Sequence, residues 1–465
     1  MAILSDSPLQ GSLLEGSAAS ALLTDQYELT MAASYLSQSM EQTATFDLFV
    51  RNLPPERRFL VAAGLADALA YLEQLRFTDS DVGYLRSLGI FEEAFLRHLS
   101  AMRFTGEVWA IPEGEVCFPG EPLLRVTAPL IEAQVVETAL LTTVSHQTGI
   151  ASKAARVALA CGGRDFVDFA SRRAHGPSAA VRGARAAYLS GAAATSNVLA
   201  GKVYGIPLSG TMAHSYVMAF DDEREAFRRF ARDFPSSAVL LIDTYDTVEG
   251  ARRAVGVAHE LADEGVRVAG VRLDSGDLRA LSMRVREILD EGGLEDVRII
   301  ASGDLDEHRI AELLQAGAPI DSFGVGTQMG VSADAPSLSA VYKLVEYDGR
   351  PVVKLSADKS TLPGRKQVWR DEHGGTLAGD TMGLEHETGH AGRPLLRRVM
   401  VDGKRVEAEG SLSEARARAA RALASLSPEL RGLAPAEGTP PVSTTTKLEM
   451  LVRTMREDLA RDATK

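Results

Sequence analysis

The feature of the sequence that most limits its fold is a rhythm of short apolar runs and helical stretches between residues 165 and 325. Several of the runs lie roughly thirty residues apart, which is the length of one βα unit. Such alternation predicts a parallel sheet, and six or more units favour a barrel over an open sheet. The runs are residues 166–169, 206–208, 238–242, 268–273, 297–300 and 320–325.

The remaining sequence divides around this βα segment. Small and polar residues at 1–20 predict a flexible tail, and mixed helical and strand patterns at 21–150 predict an α+β domain. The α/β barrel is predicted at 151–345. The last region, 346–465, reads as a strand-rich segment followed by helices. The fold class is therefore α/β, with an α+β domain before the barrel and an extension after it.

Charge and composition exclude several classes of function. The net charge of -13 argues against a protein whose main surface binds nucleic acid. No apolar run reaches the length that crosses a membrane, and the first basic residue, Arg51, comes too late for a signal peptide. The two cysteines, Cys117 and Cys161, have no metal-ligand spacing. We expect a cytoplasmic protein with no membrane and no nucleic acid among its partners.

Polar residues follow several runs at the point where each run ends. Because the carboxyl ends of barrel strands meet at one mouth, these residues are expected to line one site. Gly324, Gly326 and Thr327 offer backbone N–H groups that suit a phosphate, although a glycine-rich turn is often only a turn. The polar segments are residues 243–246, 274–277, 302–304 and 324–327.

The aspartates of these loops leave three interpretations open. They could bind Mg²⁺, accept hydrogen bonds from ribose hydroxyls, or cap the helices that follow. A magnesium ion on a pyrophosphate needs only one or two carboxylates, and capping accounts for some of the four. The residues concerned are Asp243, Asp246, Asp274 and Asp277.

Two other segments combine an apolar run with charged side chains. Arg172 and Arg173 follow the run that ends at Phe169, where adjacent cations are costly unless an anion or solvent meets them. His214 follows another run, and a lone histidine is more often structural than catalytic. No Ser-His-Asp signature and no zinc-ligand pair of histidines is present in the sequence.

These segments together resemble the nicotinate phosphoribosyltransferases, a family related to nicotinamide and quinolinate phosphoribosyltransferases. The resemblance covers roughly residues 22–370 and implies the irregular α/β barrel of the type II phosphoribosyltransferases. The motifs that carry it are residues 24–31, 169–176, 209–215, 241–246, 271–277 and 323–328, with a further segment at 359–366.

The resemblance implies a role for each candidate residue. Tyr27, from a partner subunit, and Phe169 would sandwich the pyridine ring. Asp243 and Asp274 would act in catalysis and meet Mg²⁺ through the pyrophosphate, and ATP would phosphorylate His214. The other substrate-binding residues would be Arg172, Arg272, Gly303, Gly324, Gly326 and Thr327, together with Thr195 and Ser196, which fall where nicotinamide-using relatives carry an aspartate.

The reaction implied is synthesis of nicotinate mononucleotide and pyrophosphate from nicotinate and phosphoribosyl pyrophosphate, coupled to ATP hydrolysis, in NAD biosynthesis. Mg²⁺ and ATP are the expected cofactors, and a homodimer with shared active sites is the expected assembly. The alternatives are a nicotinamide or quinolinate phosphoribosyltransferase, a metal-assisted barrel lyase or aldolase, and a phosphate-binding module without turnover.

Overall fold

The computed structural model describes residues 20–355, 361–406, 410–434 and 441–462. The tail expected at residues 1–20 lies outside the described residues except for residue 20. Among the helices of the described segments, none combines the length and the apolar character that a membrane span requires.

The elements before the βα segment are α1 (Gln26–Ser37), β1 (Thr43–Val50), β2 (Leu60–Val61), α2 (Leu65–Gln74), α3 (Asp79–Ser87), α4 (Glu93–Ala101), β3 (Glu107–Ala110), β4 (Val116–Cys117), β5 (Pro122–Pro129), α5 (Leu130–Val135) and α6 (Glu137–Ala160). The βα segment contains β6 (Asp165–Asp168), a 3₁₀ turn (Ser171–Arg173), α7 (Pro177–Leu189), β7 (Ala194–Thr195), α8 (Val198–Tyr204), α9 (His214–Met218), α10 (Glu223–Asp233), β8 (Ala238–Leu241), α11 (Thr247–Ala262), β9 (Val268–Leu273), α12 (Leu278–Glu291), β10 (Arg298–Ala301), α13 (Glu307–Gln315), β11 (Ser322–Val325) and α14 (Thr327–Gly330).

The elements after it are β12 (Ala340–Tyr347), β13 (Arg350–Pro351), β14 (Lys366–His373), β15 (Thr376–Leu384), β16 (Arg393–Pro394), β17 (Arg397–Val401), β18 (Lys404–Arg405), α15 (Leu412–Ser425), α16 (Pro428–Arg431), β19 (Val442–Thr444) and α17 (Thr446–Asp462).

The βα segment forms a parallel sheet with the strand order β7-β6-β11-β10-β9-β8. One face of the sheet is fully buried: Leu240, Val271, Ile299 and Phe323 share that face by register and pack against the helices α10, α11, α12 and α13. The predicted βα alternation is confirmed. The sheet is a half-barrel, since no pairing within the described residues joins β7 to β8, and the run at 206–208 contributes a single parallel bridge from Leu208 to Thr195.

A second, mostly antiparallel sheet draws its strands from distant parts of the chain. Its order within the described residues is β13-β12-β1-β5-β3-β17-β18. β12 pairs antiparallel with β1 from Ala44↔Tyr347 to Val50↔Ala340, and β17 pairs with β3. The sequence boundary expected at 345/346 therefore falls inside β12, and strands of the C-terminal region join the sheet of the N-terminal domain.

The long helix α6 joins the two sheets. It has 24 residues, and its Ala, Thr and Ser side chains are small enough for close packing, so most of its surface is buried. Residues 130–160 form two helices, α5 and α6, separated at Val136. At its far end α6 leads directly into β6 of the half-barrel.

Aspartates begin the helices that follow β8, β9 and β10. A side-chain oxygen of Asp246 accepts a hydrogen bond from the N–H of Glu249, and Asp277 accepts from Arg279 and Ala280. Asp306 does the same for Arg309 at the start of α13. Helix capping is therefore the correct interpretation for Asp246 and Asp277, whereas Asp243 and Asp274 cap no helix.

Candidate active site

Asp274 lies at the centre of a connected group of side chains at the carboxyl edge of the half-barrel. Its Oδ1 accepts a hydrogen bond from the Ser302 hydroxyl at 2.5 Å and from Nη2 of Arg272 at 2.9 Å. Burial raises the pKa of Asp274, but the hydrogen bonds from Ser302 and Arg272 outweigh it and hold the pKa below its usual range. Asp274 is therefore an anion at neutral pH.

Arg272 connects this carboxylate to the aromatic part of the site. It is almost fully buried on β9, where its Nε donates to the Ser302 hydroxyl at 2.9 Å and its Nη1 to the Thr211 hydroxyl at 2.6 Å. Its guanidinium carbon lies 5.6 Å from the centre of the half-buried Phe169 ring, within the range of a cation–π interaction. A ring that stacks on Phe169 would thus lie beside a fixed positive charge.

Asp243 is the second carboxylate of the group. Its Oδ2 accepts from the backbone N–H of Asp274 at 2.9 Å and from the Ser275 hydroxyl at 2.6 Å. Its Oδ1 is buried and has no hydrogen-bond partner. A buried anionic oxygen without a partner is costly, so this atom suits a cation or a hydroxyl group of a bound molecule.

His214 lies beside Asp274, at the start of α9. Its Nδ1 is 3.1 Å from the Thr244 hydroxyl, and its Nε2 is 3.8 Å from Oδ2 of Asp274. Its side chain is 39% exposed, which leaves the ring open to a ligand from solvent. In the described residues no group of three or more His, Cys, Asp or Glu side chains could bind a metal ion.

Two glycines of the site are required by close packing. A Cβ on Gly324 would lie 2.5 Å from the Phe169 ring, so the ring can rest against β11 only because Gly324 lacks a side chain. A Cβ on Gly303 would lie 2.0 Å from the Asp274 carbonyl oxygen, and its φ of +96° also favours glycine. Gly326 and Thr327 follow β11 and lead into α14.

Tyr27 and Arg172 lie outside the group around Asp274. Tyr27 is 47% exposed on α1, and burial of the hydroxyl together with the nearby carboxylates of Glu137 and Glu28 raises its pKa. In the described part of the chain, no hydrogen bond, ion pair or ring contact joins Tyr27 to the half-barrel. Arg172 is exposed in the 3₁₀ turn after Phe169 and has no carboxylate partner among the described residues.

Comparison with known proteins decides the family. Residues 22–145 match the model of the nicotinate phosphoribosyltransferase N-terminal domain, and residues 165–375 match that of the nicotinate phosphoribosyltransferase family. Over 414 residues the chain is 52% identical to a nicotinate phosphoribosyltransferase of Mycobacterium tuberculosis, covering 89% of each chain. The chain belongs to the nicotinate phosphoribosyltransferase family.

Solved structures of relatives agree with this assignment. A crystal structure of human nicotinic acid phosphoribosyltransferase is 32% identical with a TM-score of 0.83, and covers 93% of this chain and 99% of that one. A crystal structure of nicotinate-nucleotide pyrophosphorylase from Pyrococcus furiosus is 26% identical with a TM-score of 0.74, and covers 90% of this chain and 98% of that one. The predicted fold class is therefore confirmed.

Asp168, a buried residue next to Phe169, was not among the candidate site residues predicted from the sequence. Asp168, at the end of β6, accepts a hydrogen bond from the Thr195 hydroxyl at 2.7 Å and from the N–H of Ala170 at 2.9 Å. Burial raises its pKa although both hydrogen bonds oppose this. Thr195 is fully buried, and its oxygen also accepts from the N–H of Asn197 at 3.0 Å, whereas the Ser196 hydroxyl makes no hydrogen bond among the described residues.

A charged residue at the end of an apolar strand is the signal that could have indicated Asp168.

Proposed function

We propose that the chain joins nicotinate to phosphoribosyl pyrophosphate and releases nicotinate mononucleotide and pyrophosphate, as a step of NAD biosynthesis. The observation that carries the proposal is the group formed by Asp243, Asp274 and Arg272 beside the open Phe169 ring. It combines anionic oxygens, a fixed cation and an aromatic surface at the carboxyl edge of a parallel sheet, where barrel enzymes carry their sites.

Transfer of the phosphoribosyl group to nicotinate requires fixed charges of both signs near the reacting atoms. When the bond from ribose C1 to pyrophosphate breaks, positive charge develops on the sugar and negative charge on the leaving group. Fixed charges that match this pattern stabilise the transition state without reorganisation. Asp274 and Asp243 supply negative charge, and Arg272 supplies positive charge. The pyridine nitrogen of nicotinate attacks with its own electron pair, so no general base is required.

The carboxylates also fit Mg²⁺ bound to pyrophosphate. Oδ1 of Asp243 is buried without a partner, and carboxylate oxygens are preferred Mg²⁺ ligands. The scarcity of further protein ligands fits an ion that is held mainly by phosphate oxygens and water. When bound, the ion would neutralise charge on the leaving pyrophosphate, and Asp243 and Asp274 would orient it.

The nicotinate ring would stack on Phe169, with its carboxylate near exposed Arg172. Thr195 and Ser196 carry hydroxyls near the place where nicotinamide-using relatives are expected to carry an aspartate, and a hydroxyl can donate to an anion that a carboxylate would repel. Gly324, Gly326 and Thr327, with Gly303, would meet the phosphate through backbone N–H groups. Thr195 would act through Asp168, which its hydroxyl contacts.

An assay with labelled pyridines tests the proposal. The protein, phosphoribosyl pyrophosphate and Mg²⁺ should convert nicotinate to its mononucleotide with kcat/KM about a hundredfold above that for nicotinamide, because a mispaired charged group costs about 2–3 kcal/mol. The product is measured chromatographically, with and without ATP. Equal turnover of nicotinamide would contradict the choice of substrate, and binding without turnover would favour a phosphate-binding module.

The proposed site is shared between two subunits. Tyr27 is 47% exposed and makes no hydrogen bond, ion pair or ring contact with its own half-barrel within the described residues. In the proposed dimer its ring would cover nicotinate bound to Phe169 of the partner subunit. Mixing Tyr27→Ala with Arg172→Ala should then restore activity. Random pairing in a two-fold dimer gives one intact site in each mixed dimer, or roughly a quarter of the parent activity.

The control for this experiment is a mixture of Phe169→Ala and Arg172→Ala. Both residues belong to the half-barrel side of the proposed site, so no pairing of these subunits produces an intact active site. Activity is measured after the subunits have been dissociated and reassociated, and mixed dimers are verified by differently tagged chains. If verified mixed dimers of Tyr27→Ala and Arg172→Ala stay inactive, the site is not shared.

We further propose that ATP phosphorylates His214. The histidine is exposed beside Asp274, and a phosphoryl group on it would add nearly two negative charges next to the pyrophosphate region. His214→Ala should lose ATP stimulation and the accompanying ATP hydrolysis but retain slow transfer, because breaking the ribose bond does not need the imidazole. Labelling with γ-labelled ATP, followed by an alkaline workup, measures the phosphohistidine.

His373→Ala is the matched control for labelling, because His373 lies exposed at the end of β14, away from the half-barrel. It should label as strongly as the parent protein. A His214→Ala protein that labels equally well would assign the phosphoryl group to another residue.

A further inference from the structure

A cavity outside the proposed active site concentrates positive charge. It has a volume of about 510 Å³ and lies between α15 and the strands β14, β16 and β17. None of its lining residues belongs to the half-barrel or to the loops after its strands. The charged side chains that line it are Arg370, Arg393, Arg397, Arg418, Arg421, Glu115 and Glu372, and we call it the arginine cavity.

Two of these arginines are paired with carboxylates. The buried Arg370 contacts Asp380, with Nη2 and Oδ2 2.6 Å apart. Arg393 contacts Glu115, with Nη1 and Oε1 2.9 Å apart. Their charges are largely compensated by these partners.

The other three arginines have no carboxylate partner among the described residues. Arg418 is half-buried on α15, and its one hydrogen bond there goes to the carbonyl oxygen of Glu113. Arg397 and Arg421 are exposed, and their side chains make no hydrogen bond or ion pair in the described segments. Burial lowers the pKa of Arg418, and the positive charges of Arg397 and Arg421 lower it further although Glu115 opposes them.

The positive charge of the arginine cavity is opposite in sign to the net charge of the protein. The chain carries a net charge of -13, yet five arginines against two glutamates line this cavity, and three of the arginines have no carboxylate within ion-pair distance among the described residues. Because like charges repel, the neighbouring arginines destabilise the charged form of the half-buried Arg418. A bound anion would remove that destabilisation. One guanidinium group can donate two parallel hydrogen bonds to two oxygens of the same phosphate group.

We propose that the arginine cavity is a second anion site, which binds an oligophosphate chain independently of the active site. Its volume lies in the range of small-ligand sites. The described lining contains no aromatic residue on which a nucleobase could stack, so recognition rests on the phosphates. Inorganic tripolyphosphate and the triphosphate of a nucleotide share this chemistry.

Titration calorimetry with tripolyphosphate tests the proposal on the full-length protein. The parent protein should show binding to the arginine cavity in addition to any binding at the active site. Arg397→Gln and Arg421→Gln should each weaken the cavity component at least tenfold and leave KM for phosphoribosyl pyrophosphate unchanged. Arg398→Gln is the matched control, because Arg398 is the next residue of β17, is exposed, and does not line the cavity.

Stability and ligand identity are checked in parallel. The side chains of Arg397 and Arg421 make no hydrogen bond within the described residues, so their variants should fold and melt no lower than the parent when no ligand is present. Equal binding of ATP and tripolyphosphate identifies the phosphate chain as the recognised part. Tighter binding of ATP that the same variants weaken assigns the cavity to a nucleotide.

Titration curves of Arg397→Gln and Arg421→Gln that coincide with the parent curve would overturn the proposal. So would an equal loss of binding in Arg398→Gln, because it would show a diffuse charge effect and no site.

Discussion

Replacing Asp274 with Asn should lower kcat/KM by about a thousandfold, at the upper end of what losing one preorganised electrostatic group costs. The change keeps the shape of the side chain but removes the negative charge next to the developing cation. It also disturbs the position of Arg272, whose Nη2 lies 2.9 Å from the carboxylate. Steady-state kinetics with nicotinate and phosphoribosyl pyrophosphate measure the effect.

The matched control is Asp277→Asn, three residues further along the same loop. Asp277 caps α12 through side-chain hydrogen bonds to the N–H groups of Arg279 and Ala280, and asparagine caps helices about as well. Because asparagine replaces aspartate as a cap with little loss, kcat/KM of Asp277→Asn should stay within a factor of about three of the parent value. An Asp274→Asn protein that also stays within tenfold of the parent would remove Asp274 from the catalytic group.

Gly324→Ala should lower kcat/KM by about a hundredfold, because misplacing a contact by about 1 Å can cost that much. The added Cβ would lie 2.5 Å from the Phe169 ring, which must move toward the open side of the site. The loss should fall mainly on KM for nicotinate and much less on KM for phosphoribosyl pyrophosphate. Kinetics with each substrate varied in turn separate the two.

Gly183→Ala is the control for this change. Gly183 lies in α7, and a Cβ there would meet nothing within 4 Å, so alanine should be neutral or stabilising in the helix. If Gly324→Ala binds nicotinate as tightly as the parent, Phe169 is not the surface on which the ring stacks.

The half-barrel was predictable from the sequence because its signals are local. Each βα unit contains its own apolar run and its own helix start, as Asp246 and Asp277 illustrate. The meeting of Asp243 with Asp274 also follows from topology, since β8 and β9 are parallel neighbours. Position at a strand end thus indicates which side chains can meet.

The other sheet was not predictable in this way. β1 pairs with β12 almost 300 residues later, and nothing in either strand specifies the other. Antiparallel pairing between distant segments depends on the packing of the whole domain. The contact of Thr195 with Asp168 was missed for a similar reason, because it joins residues 27 apart whose side chains meet only across β6 and β7. The proposed sharing of the site would involve a second chain, and the sequence of one chain gives no information on how two chains would meet.

The strand order of the antiparallel sheet also has a consequence for synthesis on the ribosome. β1, β5 and β3 can pair with one another once residue 129 has emerged, but the outer edge of β1 then waits for β12 and that of β3 for β17. At about 5–20 residues per second, roughly 10–60 seconds pass before those strands are made. Unpaired strand edges invite pairing with other chains. We therefore expect ribosomes stalled within the half-barrel segment to yield aggregation-prone nascent chains.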